Sequence, residues 1–242
     1  MRELTVLGTC GGWPEAERAA SGFLLETDGF RLVLDLGYAT LPRLLAQCTA
    51  NELDAVVITH EHPDHCADLS ALCRALLFGG GRDGRVPLYC PPGVLRRVQA
   101  MEPTEELREV FDPHPFPGSY EVGPFQLEGQ LLPHHVPHAG VRLTAPGLTL
   151  AYSGDAGPDR VLGELAAEAD LLVAGATLQG PATDPYLLSA AQAGQWAACA
   201  GAERLLLTHF WPGAERRRSV AEAGAAYKGE VLSACEGMAL PL

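Results

Sequence analysis

Residues 59–65 read Thr-His-Glu-His-Pro-Asp-His and follow directly on a largely apolar run at 54–58. That run is typical of a buried strand, so the polar residues stand at a strand end. Imidazole nitrogen and carboxylate oxygen are the ligands of Zn²⁺ and related transition ions. Three histidines and one aspartate occupy four of the six positions from His60 to His65, in a chain with only 8 histidines. The motif therefore predicts a metal site in a fold whose strands deliver ligands at their ends.

Three further candidate ligands follow predicted strands elsewhere in the chain. His134 comes after the strand predicted at 124–132, Asp155 after the one at 148–152, and His209 after the one at 204–208. Seven ligands are too many for one tetrahedral zinc ion and suit two ions that share a bridging carboxylate. A layered sheet fold brings strand ends to one edge, where ligand sites are usually found.

The remaining pattern indicates two sheets rather than one. Further strands are predicted at 4–7, 22–27, 31–35, 86–90, 141–144, 170–174, 230–234 and 238–240, with a hairpin turn at Asp28-Gly29. Helices are predicted at 41–48, 69–77, 93–101, 159–168, 189–200 and 214–227, a loop at 79–85, and residues 102–118 carry no clear signal. Helices return after each ligand position, which favours two sheets covered by helices. No flexible linker is present, so residues 1–242 are expected to form one domain.

The glycine-rich loop at 8–14, Gly-Thr-Cys-Gly-Gly-Trp-Pro, has two interpretations. It connects two strands, and its backbone N–H groups could also cradle an anion. It lacks the Lys-Ser/Thr ending of a nucleotide-binding loop, which favours a simple connection.

Charge and cysteine usage limit the partners. The net charge of −13 disfavours a nucleic acid polymer, and Arg216-Arg217-Arg218 reads as the solvated face of a helix. The 7 cysteines include no Cys-x-x-Cys pair, so we expect mostly buried thiols in a reducing compartment. The N-terminus lacks a secretory signal pattern, and no stretch approaches the roughly 20 apolar residues of a membrane span. We expect a cytoplasmic protein with a small-molecule substrate and no membrane partner, and a homodimer stays open.

Taken together, the motifs resemble the metallo-β-lactamase superfamily. The resemblance rests on His60-x-His62-x-Asp64-His65, His134-x-Val136-Pro137-x-x-Gly140, Ser153-Gly154-Asp155 and Leu207-Thr208-His209-Phe210. It spans nearly the whole chain and is greatest to the branch that contains ribonuclease Z and small cyclic-nucleotide phosphodiesterases. It implies an α/β fold, the four-layer αββα sandwich, with two divalent metal ions, either zinc or alternatively manganese or iron.

The resemblance also implies a role for each candidate ligand. His60, His62 and His134 would bind the first ion, Asp64, His65 and His209 the second, and Asp155 would bridge them. His134 is preferred to His135 and His138 because it fits the family pattern. Two such ions would lower the pKa of bound water toward about 7, and the resulting hydroxide would attack a phosphodiester or ester centre. Asp64 would in addition orient this nucleophile.

The chain departs from the ribonuclease Z-like pattern at two positions. Relatives of that branch carry a glutamate and a histidine that together help to protonate the leaving group, whereas this chain has Gly175 and a residue near Leu187 there. Loss of a general acid typically costs about 10²–10⁴-fold in rate. We expect a phosphodiesterase for a small, cyclic nucleotide-like substrate. Two alternatives stay open: a lactone, thioester or carboxylic ester hydrolase with Tyr186 as proton donor, and a metal-binding protein without turnover.

Overall fold

A computed structural model of the chain describes residues 2–80 and 83–242. Met1, Gly81 and Arg82 lie outside the described residues, and with the last two goes part of the loop predicted at 79–85. The chain divides into two compact units. The first contains the residues up to Phe116 together with Glu236–Pro241, and the second contains Pro117–Cys235 and Leu242.

The first unit is built on a seven-stranded mixed sheet. Its strands are β1 (Arg2–Gly8), β2 (Gly22–Thr27), β3 (Phe30–Leu36), β4 (Ala55–Val57), β5 (Val86–Cys90), β6 (Phe111–Pro115) and β14 (Ala239–Pro241), in the order β14-β1-β2-β3-β4-β5-β6. The pairs from β14 to β3 are antiparallel. The pairs from β3 to β6 are parallel, so β3 and β4 end at the same edge of the sheet.

The turn at Asp28-Gly29 closes the β2-β3 hairpin, as the sequence predicts. Thr27 pairs with Phe30, and the two turn residues have φ angles of 52° and 90°. A two-residue turn of this kind needs positive φ at both central positions, because only then does its twist match that of the strands. Asp-Gly supplies this conformation at low cost, which sets the register of the sheet.

Five helices pack on this sheet. They are α1 (Leu41–Leu45), α2 (Pro63–Cys66), α3 (Asp68–Phe78), α4 (Pro92–Gln99) and α5 (Thr104–Val110). The longest, α3, buries Leu69, Leu72, Cys73 and Leu76, the spacing of three and four on which its prediction rested. These side chains join one core with apolar residues of the sheet strands.

The second unit repeats this plan. Its strands are β7 (Ser119–Val122), β8 (Phe125–Leu131), β9 (Ala139–Ala145), β10 (Leu148–Tyr152), β11 (Leu171–Gly175), β12 (Arg204–Thr208) and β13 (Glu230–Ser233), ordered β13-β12-β11-β10-β9-β8-β7. The pairs from β7 to β10 are antiparallel and those from β10 to β13 are parallel. The parallel strands again end at one edge.

Three helices cover this second sheet. They are α6 (Arg160–Leu165), α7 (Ala190–Ala200) and α8 (Arg216–Ala226). Ser189 caps α7, accepting a hydrogen bond from Gln192 N at 3.2 Å, while the Gln192 side chain accepts one from Ser189 N at 2.9 Å. Among the described residues, no helix is long and apolar enough to cross a membrane.

Two segments differ from their sequence-based prediction. The polar motif at 59–65, for which the sequence indicates only a position after a strand, is helical in its second half, where Pro63 opens α2. Proline suits the first helical position, because its missing N–H would have no intrahelical partner there. Residues 102–118, which carry no clear signal, contain α5 and β6. Strand β6 includes Pro113 and Pro115 and is the last strand of its sheet, the position at which proline is tolerated.

The 7 cysteines are thiols, as expected. Five are buried and two, Cys199 and Cys235, are exposed. Burial is the main cause that raises the pKa of Cys90 to about 12 and that of Cys73 to about 11, because it disfavours the charged thiolate.

Thiol labelling at pH 8 with a disulfide reagent should therefore modify Cys199 and Cys235 and spare the five buried cysteines, which the reagent cannot reach. Peptide mass mapping measures this, and labelling in urea serves as the control, because all 7 should then react. Rapid native labelling of Cys90 would contradict this packing.

Two helix glycines provide a matched test of the packing between α7 and α8. A Cβ on Gly194 of α7 would lie 2.3 Å from the backbone oxygen of Ala223 in α8, whereas a Cβ on Gly224 would meet nothing within 4 Å. We expect Gly194→Ala to lower the free energy of unfolding by about 1–3 kcal/mol through overpacking. Gly224→Ala should raise it by about 0.5–1 kcal/mol, since alanine favours the helix. Urea denaturation midpoints decide, and equal shifts in the two variants would contradict the close helix contact.

Candidate functional site

The first unit places four of the predicted ligands directly after β4. His60 and His62 lie in the extended segment between β4 and α2, and Asp64 and His65 lie in the first turn of α2. His60 and His65 are fully buried, and Asp64 is 6% exposed. Nε2 of His60 lies 3.1 Å from Nδ1 of His62, and Nε2 of His65 lies 3.6 Å from Oδ2 of Asp64. The short helix is what brings the last two residues of the motif together.

Asp35, which is part of no sequence motif, supports this cluster through hydrogen bonds to its carboxylate. It lies in β3, fully buried, and its carboxylate accepts hydrogen bonds from Thr59 N at 2.7 Å and from the Thr59 hydroxyl. It also accepts one from Nδ1–H of His65 at 2.7 Å, because a carboxylate can only accept.

These bonds determine which nitrogen of each imidazole carries the proton. The single hydroxyl proton of Thr59 goes to Asp35, so Thr59 Oγ1 must accept from Nδ1–H of His60 at 3.0 Å. His60 and His65 therefore both keep the proton on Nδ1 and present a lone pair on Nε2. Support of this kind, in which the far nitrogen is held by an acceptor, is typical of metal-binding histidines.

The glycine-rich loop at 8–14 directs several of its backbone N–H groups to the protein itself, and one of them supports Asp64. Gly12 N donates a 2.7 Å hydrogen bond to Oδ2 of Asp64, while Thr9 N and Cys10 N both donate to the backbone oxygen of Ala19 at 3.0 Å. Gly37 approaches Asp64 from another side, and a Cβ on it would lie 1.9 Å from the Asp64 backbone oxygen. Gly37 is needed at this position because the chain passes so close to Asp64.

The second unit gathers the other three predicted ligands. Asp155 follows β10, His209 follows β12, and His134 lies between β8 and β9. Oδ1 of Asp155 is 3.0 Å from Nε2 of His209, and its Oδ2 is 4.0 Å from Nε2 of His134. Nδ1–H of His134 donates to the Tyr186 carbonyl oxygen at 3.1 Å, since a carbonyl can only accept, and this leaves a lone pair on Nε2. Thr177 Oγ1 lies 2.8 Å from Nδ1 of His209.

The neighbouring histidines take other places. His135 is exposed and its ring lies against that of Tyr186, with 4.6 Å between the ring centroids. His138 is buried, and its Nε2 accepts a hydrogen bond from Asp155 N at 3.1 Å. His134 is thus the one of the three whose ring nitrogen faces the Asp155 carboxylate, and His138 supports the Asp155 backbone.

Two residues of these clusters adopt left-handed backbone conformations. Asp35 has a φ of 57° and His209 a φ of 54°. Such conformations are uncommon outside glycine and tend to occur where a side chain must be aimed at a particular point. Asp35 adopts this conformation near the end of β3 and His209 directly after β12, and each side chain is directed into its cluster.

Cys66 lies at the end of the motif but does not join the donor set. Burial is the largest cause that raises the pKa of its thiol to about 12, and the negative charges of Asp35 and Asp64 add to the effect. Its Sγ–H donates to the Glu61 carbonyl oxygen at 3.7 Å. A protonated thiol is a poor metal ligand, because the thiolate is the form that binds.

The donor set fits divalent cations. Each unit contributes buried imidazole nitrogens with defined lone pairs next to a carboxylate, which is the ligand chemistry of zinc and of neighbouring transition ions. Asp35, Thr59 and the Tyr186 carbonyl accept hydrogen bonds from Nδ1–H of His65, His60 and His134, the ring nitrogens that face away from the clusters.

Strand β11 ends at Gly175 and therefore adds no carboxylate of its own next to His209. Gly175 N donates to Ser153 Oγ at 3.0 Å, and a Cβ on Gly175 would lie 3.1 Å from the Gly154 oxygen and 4.0 Å from Cβ of His209. The backbone position where a general acid is expected in ribonuclease Z-like chains therefore adjoins the cluster and carries no side chain.

Comparison with known proteins identifies the family of the chain. Residues 30–210, well over half of the chain, match the family described as "Beta-lactamase superfamily domain". The chain belongs to the metallo-β-lactamase superfamily. The predicted fold class is confirmed, and the chain is a metallo-hydrolase of this superfamily whose His and Asp clusters suit divalent metal ions.

Relatives cover nearly the whole chain. It is 34% identical to the uncharacterised protein Rv1339 of Mycobacterium tuberculosis, over 94% of this chain and 88% of that protein. It is 29% identical to the probable metallo-hydrolase YhfI of Bacillus subtilis, over 97% of this chain and 98% of YhfI. The crystal structure of YhfI matches with a TM-score of 0.90 at 28% identity, over 99% of this chain and 98% of that chain. Ribonuclease Z of Kineococcus radiotolerans is 31% identical, over 92% of this chain and 90% of that protein, which confirms the similarity to this branch.

Removal of the Asp35 charge tests its role in holding the first cluster. Asp35→Asn should weaken zinc binding by about 10–100-fold, because His65 loses the charged acceptor that orients it and Thr59, which holds His60, loses its own acceptor. Competition with a chromogenic chelator measures the affinity. Asp112→Asn is the matched control, since Asp112 is 45% exposed and pairs with Arg85 away from the motif. An affinity for Asp35→Asn equal to that of the control would contradict the positioning role.

Proposed function

We propose that the chain is a dinuclear metal-dependent phosphodiesterase that acts on a small phosphodiester such as a cyclic nucleotide. The two clusters together would hold both ions. His60, His62 and His134 would bind the first, Asp64, His65 and His209 the second, and Asp155 would bridge them. Zinc is the proposed metal, with manganese or iron as alternatives, because imidazole and carboxylate suit all three.

One observation carries this proposal: protein acceptors hold the far nitrogen of His60, His65 and His134. Such preorganisation is costly unless the presented lone pairs have a use, and metal binding is that use. The number of ligands supports two ions, because two tetrahedral or five-coordinate sites with one shared carboxylate consume seven protein ligands.

The chemistry divides between the ions and the chain. Bound divalent ions would supply Lewis acidity and lower the pKa of water toward about 7. The chain supplies position: Gly12 N holds the Asp64 carboxylate, and Thr177 and His138 hold His209 and the Asp155 backbone. We propose that Asp64, besides binding the second ion, orients the nucleophile. Rigid placement of these groups reduces the reorganisation needed during reaction.

Similarity and charge support a small phosphodiester. One relative is by name a ribonuclease, an enzyme class that cleaves phosphodiester bonds. The net charge of −13 opposes binding of a long polyanion, since such binding relies on clustered Lys and Arg. We therefore propose a small-molecule substrate rather than RNA, no membrane partner, a cytoplasmic location and, as a possibility for assembly, a homodimer.

Gly175 favours a second candidate function. Without a carboxylate at the end of β11, a poor leaving group would depart without the usual proton donor. Lactones, thioesters and activated carboxylic esters need less help, so an ester hydrolase on the same clusters is the alternative. A chain that binds metal without turnover is the remaining one.

Substitution of one proposed ligand tests the function. The zinc- and manganese-loaded protein should hydrolyse bis-p-nitrophenyl phosphate and a cyclic nucleotide, and chelation should abolish both activities. His62→Ala should lower kcat/KM by at least about 100-fold, because it removes a ligand of one ion. Initial rates and metal content by elemental analysis are measured for each variant.

His114→Ala is the matched control, since His114 lies in β6, stacks on Tyr89 at 4.9 Å and is not a proposed ligand. It should behave like the parent. A metal-loaded protein that turns over a lactone or thioester but neither phosphodiester would favour the alternative. Equal rates for His62→Ala and the parent would exclude the metal as catalyst.

A further inference from the structure

Exposed aromatic side chains in the first unit are concentrated near the metal motif. Among its described residues, the large aromatic side chains with substantial exposure are Trp13 at 50%, Tyr38 at 38% and Phe78 at 73%. A single exposed aromatic residue is ordinary in a soluble protein. Two of these three, however, lie in the two loops that contact Asp64, so their position requires an explanation.

Trp13 follows directly on the residue that holds the Asp64 carboxylate. Gly12 N donates to Oδ2 of Asp64 at 2.7 Å, so standard backbone dimensions place Cα of Trp13 within about 8 Å of that oxygen. The indole side chain is long enough to reach a substrate bound at the carboxylate.

The loop also fixes the backbone of Trp13. Trp13 N donates to the Gly11 oxygen at 2.9 Å, Gly12 has a φ of 76°, and Pro14 restricts the backbone on the far side. With the backbone fixed, the indole has only two side-chain torsions whose freedom is lost when it binds a ligand.

Tyr38 lies in the second loop that contacts Asp64. Its neighbour Gly37 passes so close to the Asp64 backbone oxygen that a Cβ would lie 1.9 Å away. Ala20 N donates to the backbone oxygen of Tyr38, and Ser21 N donates to the backbone oxygen of Asp64 at 3.1 Å. Both aromatic residues are thus tied to the same candidate ligand by backbone contacts.

Phe78 differs from this pair. It ends α3, and the guanidinium of Arg74 lies over its ring at 5.7 Å from the centroid. Its ring therefore lies on a helix end rather than on a loop that supports a ligand, which makes it a suitable control.

We propose that Trp13 stacks on the nucleobase of the substrate, so that the enzyme selects nucleotides over phosphodiesters that have no base. This inference rests on the proposed phosphodiesterase function and names a residue that determines its substrate class. The ions would bind the phosphate of the substrate. The protein has a net charge of −13, and an uncharged aromatic side chain can contact the base without relying on positive charge. Stacking on an aromatic side chain tolerates every base, because each base has a π-face.

The test compares a substrate with a base and one without. Cyclic AMP and glycerol cyclic phosphate are both cyclic phosphodiesters, and only the first has a base. With the zinc-loaded protein, Trp13→Ala should raise KM for cyclic AMP about tenfold or more and leave kcat nearly unchanged, because stacking contributes equally to the ground and transition states. Trp13→Phe should restore much of the affinity. Phe78→Ala should match the parent on both substrates.

Kinetics alone can overturn the proposal. If Trp13→Ala leaves KM for cyclic AMP unchanged, Trp13 does not bind the base. If it impairs glycerol cyclic phosphate to the same extent, the residue supports the loop and the proposal is wrong.

A binding measurement separates this inference from the proposed function. Calorimetric titration of the zinc-loaded protein with AMP requires no turnover. If the parent hydrolyses neither phosphodiester, the proposed function fails, yet AMP binding that is weakened about tenfold by Trp13→Ala and not by Phe78→Ala would still support stacking. No AMP binding by the parent, or equal binding by parent and Trp13→Ala, would overturn it.

Discussion

The buried carboxylate of Asp35 is the interaction on which the first ligand cluster depends. A carboxylate removed from water is stable only where hydrogen-bond donors replace that water. Thr59 supplies two donors and His65 one, and the same bonds leave Nε2 of His60 and His65 as the presented nitrogens. The parallel pairing of β3 with β4 brings Asp35 to Thr59, so the sheet register determines the ligand geometry.

The two units share one sheet topology and use it to position their candidate ligands. Each sheet has three antiparallel pairs followed by three parallel pairs. Six of the seven candidate ligands follow strands with a parallel partner, whereas His134 lies between the antiparallel strands β8 and β9. Parallel strands suit this purpose, since their carboxyl ends meet at one edge and leave loops to carry the ligands. The second unit uses Thr177 and the Tyr186 carbonyl where the first uses Asp35 and Thr59.

Local signals account for what the sequence could predict. The Asp28-Gly29 turn, the apolar spacing of α3 and the polar motif after β4 each depend on neighbouring residues only, and the structure contains all three features. The proposed ligands themselves remain a prediction. The contribution of Asp35 was not readable, because its partners lie 24 and 30 residues away and meet it only in the folded sheet. A supporting backbone carbonyl such as that of Tyr186 has no sequence signature, since every residue has one.

The glycine at the end of β11 also restricts how this chain could change over evolution. A glutamate in place of Gly175 would bring its Cβ to 3.1 Å from the Gly154 oxygen, shorter than the approach of about 3.3 Å at which carbon and oxygen usually meet. Gly154 immediately precedes Asp155, so relief of that contact would displace a candidate ligand. The substitution of Gly175 alone would therefore add a carboxylic acid and at the same time disturb the position of Asp155. The Gly154 oxygen would have to move by a few tenths of an ångström, so the geometry of the Ser153-Gly154-Asp155 turn controls whether a proton donor fits at this strand end.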